Sequence, residues 1–430
     1  MSRPCDAPSP LWAALSRESF TAAPLDGACD IDVAVIGGGI AGLSTALHLA
    51  RAGIATVVVE AGEIGAGASG RNNGQVIPTL TRHDPDAILK ALGPDYGPRF
   101  LDLVKGSADT LYETVARYGI DCDAVRNGWI QPAHTPGRAR LAAHRAAQWQ
   151  AQGVAAVALS ADDIAARLGT TAYHGGWFHP GGGHINPLAF TRGLARAAAQ
   201  EGARIHADTP ATALARRPDG WHITTPRGTV RAEKVVLATA AYSGALWPAM
   251  ARSIVPVLSY QVATEPLGSD GASILSGNEA ASDTRMDLRY FRRDREGRIV
   301  SGGALALQVL GQQRVTRLVL ERLRVTFPQV GLMQAQYVWS GRIAMTPERL
   351  PRLHRRDDGL LAWIGCNGRG LALAMAMGQV MADAVRGAPA TDLPLPLTEP
   401  KGIPLSPLVN RTARLILPYY RMKDRREVSA

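Results

Sequence analysis

One short segment of the 430-residue chain constrains its fold more than any other, and it runs from Asp32 to Glu60. An apolar stretch (IDVAVI) predicts a strand, the glycine run Gly37–Gly42 follows it, and Leu43–Ala52 predicts a helix. A second apolar stretch, Ala55–Glu60, predicts the next strand. Such a strand–helix–strand unit has parallel strands, and its sheet is buried on both faces.

The glycine run has the spacing G-x-G-x-x-G between a predicted strand and a predicted helix, which is typical of a dinucleotide-binding loop. Gly37 permits a tight turn, Gly39 lets the backbone approach a pyrophosphate, and Gly42 allows the helix to pack closely on the strand. The helix N-terminus offers free N–H groups to phosphates. Glu60 can accept hydrogen bonds from a ribose diol. The predicted contacts are Gly37, Gly39, Ile40, Ala41, Gly42, Glu60 and Ala61.

That motif does not distinguish NAD from FAD, but the loop Ala66–Gln75 (AGASGRNNGQ) favours FAD. The loop offers a hydroxyl, backbone N–H groups and a guanidinium to a pyrophosphate, and small residues that can lie against a flat ring. An NAD dehydrogenase does not need it; a flexible loop without a ligand is the alternative. The predicted contacts here are Ser69, Gly70, Arg71, Asn72 and Gln75.

Composition indicates a folded protein, since 46% of the residues are hydrophobic. The net charge of +10 is compatible with nucleic acid, a membrane surface or acidic substrates, but the arginines are spread along the chain. We interpret the densest run, Arg289–Arg298, as a solvated turn and expect no nucleic acid. Cys5, Cys29, Cys122 and Cys366 are too scattered for a zinc site or disulfide framework, so we expect no metal and a cytoplasmic location. No apolar stretch approaches the ~20 residues that span a bilayer.

The order of elements predicts one nucleotide-binding domain assembled from separated pieces around an inserted second domain. Helices are predicted at 86–119, 137–170, 188–200 and 371–386, and strands with hairpins at 252–340. The basic tail can be a membrane-surface helix, but packing on the body is preferred because Pro418 interrupts it. The expected pieces are a surface segment (1–30), the nucleotide-binding domain (31–85, 186–250, 341–390), helical and substrate-domain segments (86–185), the substrate domain (251–340) and the tail (391–430).

Six motifs together resemble a known type of flavoenzyme. They are DVAVIGGGIAGLSTALHLA, GASGRNNGQ after Glu60, GGGHINP at 181–187, KVVLATAAYSG at 234–244, WSGRIAMTPERLP at 339–351 and GCNGRGLALAMAMGQ at 365–379. The chain resembles the D-amino-acid oxidase, glycine oxidase and sarcosine oxidase type, and within it the γ-glutamylputrescine oxidoreductase-like proteins. The resemblance covers nearly the whole chain.

This resemblance implies an α/β fold with a Rossmann-like FAD-binding domain and an inserted α+β substrate domain built on an antiparallel sheet. The flavin would lie between the two domains. Family members oxidise a C–N bond by passing a hydride to the flavin, and the imine then hydrolyses. The implied partners are a small-molecule amine and O2 or another electron acceptor.

Further cofactor contacts come from the segment Gly365–Gly370 and from the resemblance. The segment precedes a helix whose N-terminus can stabilise the flavin edge that becomes negative on reduction. Arg369 can add to this effect, although a surface salt bridge is the alternative. The resemblance places Thr239 at the dinucleotide and Ala211 near the adenine. The added contacts are Ala211, Thr239, Gly341, Gly368, Arg369, Gly370 and Leu371.

No general base is predicted, because hydride transfer from a neutral amine depends on orientation and desolvation more than on acid–base help. The candidate catalytic residues are Arg369, Tyr260 and Trp339, and the candidate substrate contacts are His184, Tyr290 and Arg342. For each of them the alternative is a packing role.

Three positions depart from the family pattern. Amino-acid-oxidising members have a carboxylate-binding arginine where this chain has Ile343, and Arg342 stands one residue earlier, on the opposite face of a strand. An amine is therefore favoured over an α-amino acid, with glycine or D-amino-acid oxidation and a non-catalytic flavoprotein as alternatives. Arg298–Gly303 lacks the lysine that assists O2, so a dehydrogenase stays open. Ala344–Thr346 lacks the cysteine that binds flavin covalently, so we expect non-covalent FAD.

Overall fold

The computed structural model describes residues 8–356 and 358–429, in which the strands form sheets of nine, eight and two strands. The first seven residues of the expected surface segment lie outside this range. The strands of the nine-stranded sheet fall within 27–59, 204–237 and 352–398, and those of the eight-stranded sheet within 129–179 and 255–345. Successive stretches of the chain thus contribute strands to one sheet and then to the other, as in a domain built from separated pieces. The domain boundaries given above stay a prediction.

The nine-stranded sheet contains the predicted strand–helix–strand unit at its centre. Gly27–Ile36 pairs in parallel with Thr56–Val59 on one side and with Gly228–Leu237 on the other. Its residues 33–36 are buried, with at most 4% of the surface exposed, because both faces are covered. Helices Ile40–Arg51 and Leu371–Val385 pack on one face, and strand Gly220–Thr224 with the side chains of Trp247 and Met250 packs on the other. In chain order the strands are Gly27–Ile36, Thr56–Val59, Arg204–His206, Ala213–Arg217, Gly220–Thr224, Gly228–Leu237, Arg352–Arg356, Leu360–Ile364 and Leu397–Thr398.

The eight-stranded sheet is antiparallel except where Trp129–Pro132 pairs with Ala280–Ser282. Its longest pairing joins Val255–Thr264 to the edge strand Ala335–Met345. In chain order the strands are Trp129–Pro132, Val157–Leu159, Gly176–His179, Val255–Thr264, Ala280–Ser282, Tyr290–Arg293, Ile299–Gly303 and Ala335–Met345. A separate pair, Gln75–Val76 with Gly183–His184, links the glycine-rich loop to the GGGHINP motif.

Among the described α-helices none is both long and apolar enough to cross a membrane. The predicted helix at 86–119 is observed, with a break at Gly93, whose φ is 71°. The predicted helix at 371–386 is observed at Leu371–Val385. In chain order the helices are Leu11–Leu15, Ile40–Arg51, Pro85–Tyr118, Pro136–Ala151, Ala161–Leu168, Pro187–Gln200, Pro248–Ala251, Gly311–Thr326, Leu371–Val385, Ser406–Thr412 and Ile416–Ser429.

Two secondary-structure predictions were wrong. The single helix expected at 137–170 is two helices with strand Val157–Leu159 between them. Gly153 ends the first helical stretch with φ at 79°, and Ser160 begins the next one with a capping box. The region 252–340 also contains the helix Gly311–Thr326, whose apolar side chains repeat every four residues and bury one face.

The interpretation of Arg289–Arg298 as a solvated turn was also wrong for two of its arginines. The run forms strand Tyr290–Arg293 and a turn, and Arg292 and Arg298 are only 2% and 6% exposed. Arg292 is accommodated by backbone carbonyls, whereas Arg298 is paired with acidic side chains of the turn. The N-terminal segment likewise differs from the expected surface segment, since Leu11–Leu15 is a helix with buried apolar side chains.

Helices Ile40–Arg51 and Leu371–Val385 pack very closely against each other. Helix Leu371–Val385 lies on helix Ile40–Arg51, and the hydroxyl of Ser44 donates a 2.7 Å hydrogen bond to the carbonyl of Met375. A Cβ atom at Gly378 would overlap the Cβ and Oγ atoms of Ser44. The absence of a side chain at Gly378 therefore fixes the distance between the helices.

Gly378→Ala should lower the free energy of unfolding by about 1–3 kcal/mol, because the added methyl group overpacks this contact. Gly106→Ala is the matched control, since a Cβ there meets no atom within 4 Å and the residue lies inside a helix. The control should be neutral or slightly stabilising. Chemical denaturation of both variants checks this, and equal stability of the two would contradict the packing argument.

Candidate active site

The glycine run forms a tight turn between strand Gly27–Ile36 and helix Ile40–Arg51. Gly37 has a φ of 117°, and a Cβ there would lie 2.8 Å from the carbonyl oxygen of Ala238. A Cβ at Gly42 would overlap the carbonyl oxygen of Gly37. Both positions therefore require glycine, as the motif predicts.

The first turn of helix Ile40–Arg51 presents backbone N–H groups beside the loop Ala66–Gln75. The N–H group of Ile40 donates to the hydroxyl of Ser69 at 3.0 Å, and a Cβ at Gly39 would lie 2.7 Å from the same oxygen. Within residues 8–356 and 358–429 the N–H groups of Gly39 and Ala41 have no hydrogen-bond acceptor. This cradle fits the pyrophosphate of a dinucleotide.

Glu60 lies at the end of the second strand, directly beside the glycine turn. Its carboxylate accepts hydrogen bonds from the N–H groups of Gly38 at 2.7 Å and Gly62 at 3.2 Å. Burial raises the pKa of Glu60, and these two backbone donors oppose the rise. Because a carboxylate has about four lone-pair sites, Glu60 retains acceptor capacity for a ribose diol. Ala61, the next residue, is exposed.

The loop Ala66–Gln75 is held by a row of four hydrogen bonds to consecutive backbone carbonyls. The carbonyls of residues 71–74 accept, in order, from Trp339 Nε1 (2.9 Å), Trp12 Nε1 (2.8 Å), Arg292 Nε (2.7 Å) and the N–H group of Ile185 (2.9 Å). The four donors come from four separate parts of the sequence. We call this set the carbonyl anchor.

Arg292 is the only cation of the carbonyl anchor, and it lies next to His184. Its guanidinium donates to His184 Nδ1 and to the carbonyl of Ile185, both at 2.9 Å, and lies 4.5 Å from the centre of the Trp12 ring. Burial lowers the pKa of Arg292 to about 10. Burial, and then the charge of Arg292, lowers the pKa of His184 to about 3, so His184 is neutral and donates from Nε2 to the carbonyl of Asn278.

Tyr290 is linked to the loop, whereas Tyr260 faces away from it. Asn73 donates to Gln261 at 3.1 Å, and Gln261 donates to the hydroxyl of Tyr290 at 2.8 Å. Tyr260 precedes Gln261 in the same strand, so its side chain points to the opposite face. There its hydroxyl lies against Gly311, and burial raises its pKa.

The strand Ala335–Met345 places its residues on two different faces. Trp339 is fully buried and donates to the loop carbonyl, and a Cβ at Gly341 would lie 3.3 Å from the Cβ of Arg71. Ile343 therefore lies on the face that meets the loop. Arg342 lies on the other face, with its guanidinium 5.8 Å from the centre of the Tyr242 ring.

Arg369 is buried and contacts neutral partners rather than a carboxylate. It donates to the hydroxyl of Thr79 and to the carbonyl of Leu80, the latter at 2.8 Å, and lies 4.7 Å from the centre of a Trp129 ring. Burial lowers the pKa of Arg369 to about 9, and the nearby Arg145 contributes in the same direction. The surface salt bridge that was the alternative for Arg369 is not observed among the described residues.

The structure brings several of the predicted cofactor residues together at the glycine turn. A Cβ at Gly37 would lie 3.5 Å from the backbone nitrogen of Thr239. Ser69 and Gly70 belong to the loop Ala66–Gln75, and Gly341 contacts that loop.

Other predicted cofactor residues point away from the glycine turn. Gln75 donates to carbonyls of the eight-stranded sheet, and Asn72 donates within its own loop. Arg71 donates to the carbonyls of Ala66, Pro8 and Ser340. Ala211 packs against the opposite side of the sheet, and Gly368, Gly370 and Leu371 flank the start of helix Leu371–Val385. Their binding roles stay predictions.

The candidate catalytic and substrate residues do not form one cluster. Among the described residues, a hydrogen bond joins only one pair of them, from the Tyr290 hydroxyl to the Tyr260 carbonyl at 3.5 Å. Sequence reasoning missed Trp12, Asn73 and Arg292, which hold the loop. The sequence offered two signals for them: Trp12 is a tryptophan within a polar N-terminal segment, and Arg292 is an arginine within an alternating strand pattern.

Comparison with protein families explains why these parts occur together. Residues 32–384 match the family described as FAD dependent oxidoreductase, which spans more than half of the chain. The chain belongs to the DAO family of FAD-dependent oxidoreductases. FAD is therefore its cofactor, and the predicted cofactor and enzyme class are confirmed.

Two curated relatives and one solved structure agree with this assignment. The chain is 32% identical over 359 residues to gamma-glutamylputrescine oxidoreductase of Escherichia coli (strain K12), covering 83% of this chain and 84% of the relative. It is 26% identical to glycine oxidase of Bacillus licheniformis, covering 83% and 94%. The crystal structure of glycine oxidase from Geobacillus kaustophilus superposes with a TM-score of 0.70 at 23% identity, covering 83% of this chain and 95% of that one. The predicted fold, a Rossmann-like FAD domain with an inserted substrate domain, is thereby confirmed.

FAD should be bound without a covalent link. Cys366 lies near the segment 344–346, since the N–H group of Asn367 donates to the carbonyl of Ala344 at 3.2 Å, but burial raises the pKa of its thiol and disfavours the nucleophilic thiolate. Acid or heat denaturation should therefore release all of the flavin into the supernatant. Cys366→Ala is the control and should release flavin equally; flavin that stays on the denatured wild-type chain but not on Cys366→Ala would contradict the prediction.

Proposed function

We propose that this protein oxidises the C–N bond of a small amine, with γ-glutamylputrescine or a similar γ-glutamyl amine as the preferred substrate. FAD, when bound, accepts a hydride from the carbon attached to nitrogen. The protein's own part is to exclude water and to orient the amine, so no general base is required. The electron acceptor is O2 or another oxidant.

The position of Ile343 is the observation that carries this proposal. It lies on the face of strand Ala335–Met345 that meets the loop Ala66–Gln75, and its neighbour Arg342 points to the other face, over Tyr242. An isoleucine cannot form the bidentate pair that holds the carboxylate of an α-amino acid next to its reacting carbon. An amine without a carboxylate at that carbon is therefore favoured.

A group of arginines supports a substrate that also carries a negative charge away from the reacting carbon. Arg82, Arg349 and Arg369 have no salt-bridge partner among the described residues, whose nearby carboxylates Asp84 and Glu348 pair with Arg145 and Arg352 instead. Burial lowers the pKa of Arg82 and of Arg369, and the charges of nearby arginines lower it further. Arg369 belongs to the segment Gly365–Gly370, and Arg82 follows the Thr79–Leu80 segment that Arg369 contacts. This excess of positive charge repels a polyamine that has no carboxylate, and it attracts the carboxylate of a γ-glutamyl amine.

The similarity to gamma-glutamylputrescine oxidoreductase of Escherichia coli supports the same substrate class. The second candidate function is oxidation of glycine or a D-amino acid. It is favoured by the glycine oxidase relatives, of which the one from Bacillus licheniformis is 26% identical. The two candidates differ in whether a carboxylate must be held at the reacting carbon.

An anaerobic substrate panel tests the proposal through bleaching of the flavin absorbance. γ-Glutamylputrescine should reduce the flavin at least about tenfold faster than putrescine, glycine or D-alanine, which corresponds to about 1.4 kcal/mol of selectivity. Reduction by glycine or D-alanine at a higher rate than by any amine would instead establish the amino-acid oxidase. Repeating the panel with O2 present identifies whether O2 reoxidises the flavin.

A pair of variants separates charge recognition from general damage in the same assay. Arg82→Met should raise the KM for γ-glutamylputrescine by about tenfold while leaving that for putrescine unchanged or lower, because only the former carries a carboxylate. Arg314→Met, which changes an exposed arginine of helix Gly311–Thr326, is the control and should change neither. Equal effects of Arg82→Met on both substrates would contradict a role in recognising the carboxylate.

A further inference from the structure

The helical part of the tail, residues 405–429, packs on the body through its two acidic side chains. The carboxylate of Asp424 accepts hydrogen bonds from the N–H groups of Met286 at 2.8 Å and Asp287 at 3.0 Å. Glu427 pairs with both Nε and Nη2 of Arg138, at 2.8 and 2.7 Å. These are the only acidic residues between 405 and 429, so the negative charges of the tail are turned inward.

The outward side of the tail carries only positive charge. Five basic side chains are exposed there, while Arg421 turns inward to pair with Asp287 at 2.6 Å. Both carboxylates bind groups of the body, and among the described residues neither forms a salt bridge with Arg411, Arg414 or Arg426. The exposed cations are Arg411, Arg414, Lys423, Arg425 and Arg426.

The same outward side also carries a stripe of large apolar side chains. Seven of the thirteen large hydrophobic side chains that are exposed in the described residues belong to this tail. Leu408 is exposed on helix Ser406–Thr412, and Leu415, Tyr419 and Met422, which are spaced by four and three residues, follow one line along the 3-10 turn Ala413–Leu415 and helix Ile416–Ser429. They are 56%, 56%, 52% and 41% exposed.

An apolar line flanked by exposed cations binds to the surface of a membrane that contains anionic lipids. We propose that the tail docks this enzyme on the surface of a membrane that contains anionic lipids. The apolar side chains enter the boundary between headgroups and acyl chains, and the arginines and Lys423 contact the phosphates. A nucleic acid matches the charge but leaves the apolar line exposed to water. The contact is peripheral, because the tail lies along the surface.

Vesicle flotation with the FAD-loaded full-length protein tests the proposal. Vesicles that contain phosphatidylglycerol and phosphatidylcholine should carry at least about tenfold more protein than vesicles of phosphatidylcholine alone, and added salt should reduce this binding. The double variant Leu415→Glu with Met422→Glu should lose the binding. Val325→Glu is the matched control, since Val325 is 57% exposed on helix Gly311–Thr326, and it should bind like the wild type. The flavin absorbance and melting temperature of each variant verify its fold.

Three outcomes would overturn the proposal. One is equal flotation with both kinds of vesicle, or none with either. A second is wild-type binding by the Leu415→Glu, Met422→Glu variant. A third is a dimer in solution that this double variant converts to a monomer while vesicles capture neither form, because the apolar line would then bind a second copy of the chain.

Discussion

The carbonyl anchor is the set of interactions on which the rest of the site depends. It holds the loop Ala66–Gln75 through donors in the N-terminal helix, in two strands of the eight-stranded sheet and in the GGGHINP motif. A buried carbonyl without a donor costs about 1–3 kcal/mol, so each donor constrains where the loop can lie. The loop in turn contacts the glycine turn through Ser69 and the edge strand through Gly341.

Arg292 is the positively charged donor of the carbonyl anchor. A buried cation is tolerated only when its donors are satisfied, and this guanidinium uses neutral acceptors and the face of Trp12 instead of a carboxylate. Because no carboxylate pairs with Arg292 in the part of the chain that the structure describes, its positive charge remains next to a loop that fits a pyrophosphate. Burial, and then the charge of Arg292, lowers the pKa of His184 to about 3 and keeps it neutral, so His184 positions Arg292 rather than supplying a proton.

The parts of the fold that depend on residues close together in the sequence could be predicted from it. The glycine turn, its flanking strand and helix, and the strand alternation at Arg342 and Ile343 follow from local spacing. The carbonyl anchor could not be predicted, because Trp12 and Trp339 reach the loop from 60 and 268 residues away, and periodicity does not encode such pairings. Arg292 was misread for a related reason, since a charged run resembles a solvated turn until its carbonyl partners are known.

The dissociation constant for FAD in Arg292→Met tests the central claim most directly. The variant keeps the side-chain volume but removes the donors to the carbonyl of Asn73, and Arg293→Met changes the next residue, whose guanidinium is 3.4 Å from the Ile274 carbonyl instead. FAD should bind at least about tenfold more weakly to Arg292→Met, as expected for a lost charged hydrogen bond, and with the wild-type dissociation constant to Arg293→Met. Arg292→Met protein that is folded by circular dichroism and binds FAD as tightly as the wild type would contradict it.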